Sequence, residues 1–158
     1  MKKNLIILFL MITFPIKAFA LIEVDITRGN LNPLPLAVSP LSIDDKSKTS
    51  FEKILKKKNI GSEISIIVEN NLRTSGLFNP LSKDAFLQAP DIANLKPRFE
   101  DWNLIKAQAL ITGKVTYVDE KLRVEFRLWD ILAAKEMMAL AFTTVPSNWR
   151  RNLKCSRK

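Results

Sequence analysis

Asn70-Asn71-Leu72-Arg73-Thr74-Ser75-Gly76-Leu77-Phe78-Asn79-Pro80-Leu81 carries the chain out of a helix and into an extended segment with no loop between them. Upstream, Ile60, Ile64, Ile67, Val68 and Leu72 recur at the three-and-four spacing of one helical face, while Glu63, Glu69, Asn70 and Arg73 fall elsewhere on the wheel. The stripe predicts an amphipathic helix that must bury one side. Gly76, just past the last periodic residue, suits the left-handed conformation that closes a helix, and Pro80 keeps the helix from resuming.

Working towards the carboxy terminus, Ser82 to Leu87 has a capping serine and an acidic first turn at Asp84, which predicts one short helix. Pro90 and Pro97 bracket a loop. Phe99, Trp102 and Ile105 recur every three residues, so they share one side of a second short helix, with Trp102 as a core anchor. Two strands then follow, Ala109 to Val118 and Lys121 to Asp130. In the second, Leu122, Val124, Phe126 and Leu128 alternate with Lys121, Arg123, Glu125 and Arg127, and Asp119-Glu120 is the right length for a tight hairpin turn. From Glu136 to Val145 the signals conflict. Met137, Met138, Ala139, Leu140 and Ala141 favour a helix, whereas Phe142-Thr143-Thr144-Val145 favours a strand.

Towards the amino terminus, Ser42 to Lys58 is polar and rich in lysine, which predicts a mobile connection with one amphipathic turn at Phe51, Ile54 and Leu55. Leu34 to Leu41 is extended, but Pro33, Pro35 and Pro40 place it at strand ends or a sheet edge. Ile22, Val24 and Ile26 alternate with Glu23, Asp25 and Thr27 as in a half-buried strand that Gly29-Asn30 breaks. Residues 1–20 have the parts of a secretory signal peptide: basic Lys2 and Lys3, an apolar run from Leu5 to Ile12, and the small-residue site Ala18-Phe19-Ala20. Pro15 and Lys17 close the run short of the about 20 residues that span a bilayer, so no stable membrane insertion is expected after cleavage.

The formal charge of +9 sits at the two ends. Lys2, Lys3 and Lys17 belong to the signal, and Arg150, Arg151, Lys154, Arg157 and Lys158 lie in the last nine residues, leaving 17 basic and 16 acidic side chains in residues 21–149. A nucleic-acid interface needs a clustered basic face, and the internal run Lys56-Lys57-Lys58 reads as solvated, so no nucleic-acid partner is expected. The absence of histidine and the single cysteine, Cys155, exclude internal disulfides, common zinc sites and histidine-based triads. Carboxylates remain as acid–base candidates at Asp44-Asp45, Glu100-Asp101 and Asp119-Glu120, but neighbours in a turn point apart and no spacing converges two pairs on one cleft. No catalytic, cofactor-binding or metal-binding residue is assigned.

One resemblance gathers these pieces. The 72–81 stretch resembles the helix-to-strand junction of the TolB family. The likeness continues at Leu21-Ile22-Glu23-Val24-Asp25-Ile26-Thr27-Arg28-Gly29, at Asp101-Trp102 with Ala107-Gln108-Ala109-Leu110-Ile111-Thr112-Gly113-Lys114-Val115, at Arg127-Leu128-Trp129-Asp130, and from Phe142 to Arg151. It implies the family's amino-terminal α/β domain over residues 21–151, without the β-propeller. The fold expected is a mixed sheet of about five short strands packed against one long and one or two short helices. The resemblance also implies that Glu136 to Val145 is the third strand of a meander. At Pro146 to Arg151 it implies entry into a last helix capped by Ser147 or Asn148. Residues 152–158 form a basic tail that does not match, and the chain is expected to be a split or frameshifted member lacking that helix.

For function, the resemblance implies a non-enzymatic, periplasmic interaction domain of the Tol-Pal system of envelope integrity and cell division. Its terminal residues, here Ile22, Glu23, Val24, Asp25 and Ile26, would engage the carboxy-terminal domain of TolA, weakly, while the propeller chiefly engages the lipoprotein Pal. A separate propeller fragment is a further expected partner. An alternating terminal segment can add to a partner's sheet edge or serve as the first strand of its own sheet, and both readings stay open. A non-functional remnant of a split gene, and a small carboxylate-dependent enzyme, are the alternatives.

Overall fold

The computed structural model describes residues 32–56, 59–90 and 96–152. The helix spanning Ile60–Thr74 ends where its sequence predicts, and Gly76 follows with φ of 74°, a conformation open to glycine without strain. The Ser75 and Gly76 N–H groups donate back to Asn71, Leu72 and Arg73 carbonyls, satisfying helix-end acceptors. Leu34 then receives its sheet neighbour at once, its N–H donating to the Leu77 carbonyl at 2.9 Å.

In chain order the elements are β1 (Leu34–Val38), β2 (Ser42–Ile43), α1 (Asp45–Leu55), α2 (Ile60–Thr74), β3 (Phe78–Pro80), α3 (Phe99–Leu104), β4 (Ala109–Val118), β5 (Lys121–Asp130), β6 (Lys135–Thr144) and α4 (Trp149–Asn152). Single 3₁₀ turns occur at Lys83–Ala85 and Pro146–Asn148. The six described strands form one mixed sheet in the order β3-β1-β4-β5-β6, with β2 pairing the far half of β4. β1 runs parallel to β3 and β4, while β4, β5 and β6 form an antiparallel meander. The class is α/β as expected, and the stretch with conflicting propensities is the third meander strand.

Successive side chains of a strand point to opposite faces, and both faces of this sheet carry apolar residues. On one face Val115, Leu122 and Val124 pack with Phe51 of α1 and with Ile60 and Ile64 of α2, while Leu36 and Val38 pack against Val68 and Leu72 of α2. On the other, Ala37, Leu110 and Trp129 pack with Trp102 of α3 and with Ile131. Trp102 is the anchor its spacing predicts, with its indole N–H donating to the Gln88 side-chain oxygen at 2.9 Å and Phe86 meeting it edge-on. The same Gln88 oxygen accepts the Arg98 N–H at 3.0 Å, which fixes the entry to α3.

Two expectations are corrected. Ser42 to Lys58 is no mobile connection over its described residues: it makes β2 and the eleven-residue α1. Asp44 caps that helix, and Ser47, Phe51 and Leu55 form its inward stripe, with the Ser47 hydroxyl accepting the Tyr117 N–H at 2.8 Å. Nor is β1 an edge strand, since β3 and β4 flank it. Pro35 is tolerated because its carbonyl faces the start of β4, accepting the Gln108 N–H, and its missing donor falls below that start. Lesser differences occur at the ends. The Ser82-capped segment closes to a single 3₁₀ turn, and the turn at Pro146–Asn148 opens from Val145 without a side-chain cap.

Candidate functional site

The expected binding segment, Ile22, Glu23, Val24, Asp25 and Ile26, lies outside the described residues, as do the signal peptide and the basic tail past Asn152, with Cys155. The acid–base candidates are all within them. Asp44 accepts the Ser47 N–H at 3.2 Å as the cap of α1, and hydrogen bonding to Ser47, opposed by burial, holds its carboxyl below the ordinary range. Asp45 lies in the first turn of the same helix. Asp101 pairs with Arg98 at 2.6 Å, and Glu100 lies beside it in the first turn of α3. Asp119 and Glu120 form the β4–β5 turn, both left-handed, with φ of 48° and 58°. The three pairs thus stand at a helix cap, a second helix start and a hairpin tip. Among the described residues no group of three or more histidine, cysteine, aspartate or glutamate side chains is placed to hold a metal ion. No helix among them is long and apolar enough to cross a membrane.

The unusual surface lies at the opposite edge of the sheet from β3. Met138, Leu140 and Phe142 of β6 pair with Leu128, Phe126 and Val124 of β5, so they lie on the face that α2 covers elsewhere. Yet they are 50%, 49% and 52% exposed. Between them and α2 two hollows meet at Val68. One, of about 220 Å³, is lined by Ile111, Phe126, Leu128, Met138 and Leu140. The other, of about 620 Å³, runs by Leu72, Val124, Phe142 and Trp149. Phe126 and Phe142 meet edge-to-face across the strands, with ring centroids 6.3 Å apart. The one charged residue in this lining, Arg127, lies 3.9 Å from Glu136. Trp149 is 4% exposed, and the next residue, Arg150, reaches Glu63 of α2 at 2.6 Å, which ties α4 to the mouth of the groove.

The outer edge of β6 has no strand beside it among the described residues. Its ten residues carry charged side chains only at Lys135 and Glu136. The arrangement offers apolar contact and main-chain hydrogen bonding, the means by which proteins hold other polypeptides. Sequence reading missed this groove, because it forms only when α2, β5 and β6 come together. The signal available in advance was the apolar character of β6 on successive positions, with Met137, Met138, Ala139, Leu140, Ala141 and Phe142 in a row.

Comparison with known proteins bears on the family and the fold. Residues 22–137 match the TolB amino-terminal domain. The Tol-Pal system protein TolB of Pelagibacter ubique is 84% identical over 149 residues, which cover 94% of this chain and 33% of that protein. The chain therefore spans about a third of the length of that curated relative. The crystal structure of TolB from Acinetobacter baumannii shares the fold with a TM-score of 0.57 at 18% identity, over 77% of this chain and 25% of that one. With its matched stretch running through the helix-to-strand junction and into the meander, this chain belongs to the TolB amino-terminal domain family.

Proposed function

We propose that the chain is a periplasmic protein-interaction domain of the Tol-Pal envelope system, with no catalytic activity of its own. The observation that carries this reading is the 84% identity to a Tol-Pal system protein along nearly the whole chain. The scattered carboxylates support the non-enzymatic part, since Asp44 is used in a cap, Asp101 in an ion pair, and Asp119 and Glu120 in a turn. Residues 1–20, with their signal-like pattern, support export.

Within this reading Ile22, Glu23, Val24, Asp25 and Ile26 are the residues that engage the carboxy-terminal domain of TolA, by adding an alternating segment to its sheet edge. Ordering a free segment on binding costs free energy, so the association is weak. A propeller-bearing polypeptide is the second proposed partner, and co-purification from periplasmic extract tests it. The decisive measurement is a titration of the processed chain against that TolA domain and, separately, against Pal. Deleting Leu21 to Ile26 should abolish TolA binding, and Val24→Pro should come close to doing so, because proline removes a main-chain donor. Val24→Thr should do less. TolA binding indifferent to the deletion, or tight binding to Pal, would sink the assignment.

A further inference from the structure

The two helices that pack on one face of the sheet treat their charges differently. On α2, Glu63 reaches Arg150 at 2.6 Å, and Glu69 is shared by Arg73 at 2.8 Å and Lys83 at 3.5 Å. α1 carries Lys46, Lys48 and Lys53, with Lys56 as its left-handed C-cap, and all four are exposed. Among the described residues no carboxylate lies within ion-pair distance of any of them. Successive helical residues are about 100° apart, so the inward stripe of Ser47, Phe51 and Leu55 leaves Lys46, Ser50, Lys53 and Ile54 together along one flank. Asp45 and Glu52, each one residue before a lysine of that flank, fall about 100° farther round the axis. The Ser50 hydroxyl turns back to donate to the Lys46 carbonyl at 3.1 Å. Ile54, next to Lys53, is 49% exposed. Lys46 stands in the first turn, where the partly positive end of a helix disfavours a cation, so α1 gains nothing from that charge itself. The flank therefore presents two unpaired cations about 10.5 Å apart along the axis and an apolar side chain beside the second.

We propose that this flank of α1 binds the surface of an anionic phospholipid bilayer, with Lys46 and Lys53 against the headgroups and Ile54 entering between them. Charge complementarity selects an anionic partner, and the shape and the isoleucine select a lipid one. A helix flank is a convex ridge, and a fluid headgroup layer moulds itself to such a ridge, supplying phosphate for the lysines and acyl carbon for the isoleucine. A nucleic acid supplies phosphate but nothing for Ile54, and this flank has no aromatic ring on which a base could stack. Lysine suits the task, because its apolar stem lies along the surface while the ammonium reaches the phosphates. Each lysine close to an anionic surface strengthens binding roughly fivefold, so two of them with one isoleucine give a weak, reversible hold that salt loosens. The contact is peripheral and crosses nothing. The inference does not rest on the TolA reading, because it concerns a different surface and a different mode of binding.

The test is co-sedimentation of the processed chain with vesicles of phosphatidylcholine alone and of an equal mixture of phosphatidylcholine and phosphatidylglycerol. Binding is expected to the mixed vesicles at low salt, and it should fall at least about tenfold in about 0.5 M salt. Lys46→Glu combined with Lys53→Glu should weaken it at least about tenfold, and the milder pair Lys46→Gln with Lys53→Gln serves if that variant fails to fold. Ile54→Ser should weaken it about threefold while leaving the salt dependence in place. The same α1 substitutions made together with Lys154→Gln, Arg157→Gln and Lys158→Gln separate the basic tail from the helix, and their effect should persist there. TolA binding should be unchanged throughout, so either reading can fail alone. No binding to the mixed vesicles, equal binding to phosphatidylcholine alone, binding indifferent to the α1 substitutions, or an α1 effect that vanishes without the basic tail would overturn the proposal.

Discussion

β1 and β6 are both apolar strands of one sheet, and they meet opposite fates. Leu36 and Val38 of β1 are 1% exposed and Ala37 is 0%, whereas Met138, Leu140 and Phe142 of β6 are half exposed. The difference is not one of residue type, since leucine stands in both. β1 has a strand on each side and a helical layer on each face, with α2 above Leu36 and α3 with Trp102 below Ala37. Among the described residues β6 has one neighbouring strand, β5, and no helix across its side chains. Burial is therefore conferred by the covering layer, and an apolar strand without one becomes a surface for something else.

The largest test of this contrast is a matched pair of truncations. Leu36→Ala should cost about 2–5 kcal/mol, because it opens a cavity in a packed site, while Leu140→Ala should cost less than about 1 kcal/mol, both measured by urea denaturation. Equal losses would break the comparison. The next concerns the lid over the closed region. Asp44→Ala should cost about 1 kcal/mol at neutral pH by uncapping α1, and should raise binding of a hydrophobic dye as Phe51 loosens. The pH dependence has a definite sign. The folded Asp44 carboxyl lies below its ordinary range, so its contribution is full above about pH 4 and is lost as pH falls through the folded value. The gap between wild type and Asp44→Ala should accordingly close in acid. The smallest effect is at the turn joining β4 to β5, where Glu120 holds a φ of 58°. Glu120→Gly should stabilise by about 0.5 kcal/mol in the same denaturation assay, and should leave the exposure of β6 unchanged.

The same contrast explains which parts were legible from sequence. α2, Gly76 and the β4–β5 hairpin were plain because each carries a single clean period closed by a turn or stop residue. α1 was hidden by its lysines, and one member of its inward stripe is Ser47, a polar residue that is buried because it accepts a hydrogen bond from β4. The interior place of β1 was hidden by prolines whose missing donors fall where no ladder exists. β6 was ambiguous because residues on both its faces are apolar, so no two-residue period survives. The groove was illegible for a further reason: Val68, Phe126 and Phe142 are far apart in sequence and meet only in the folded sheet. The amino-terminal segment, by contrast, was singled out by alternation and by family likeness, and it is the titration with TolA that tests it.

The topology also sets an order in time. β4, β5 and β6 follow one another through short turns, so the meander closes on the microsecond scale typical of hairpins (about 1–10 μs). The parallel pairing of β1 with β4, and the Ser47 bond to Tyr117, join residues some 70 positions apart and must await a much larger loop closure. The open strand of the finished protein is thus among the first made, and its bare edge is on offer before the rest of the sheet exists. This interval is when a chaperone, a neighbouring nascent chain or an early partner competes for β6, and the outcome of that race fixes the yield of folded protein.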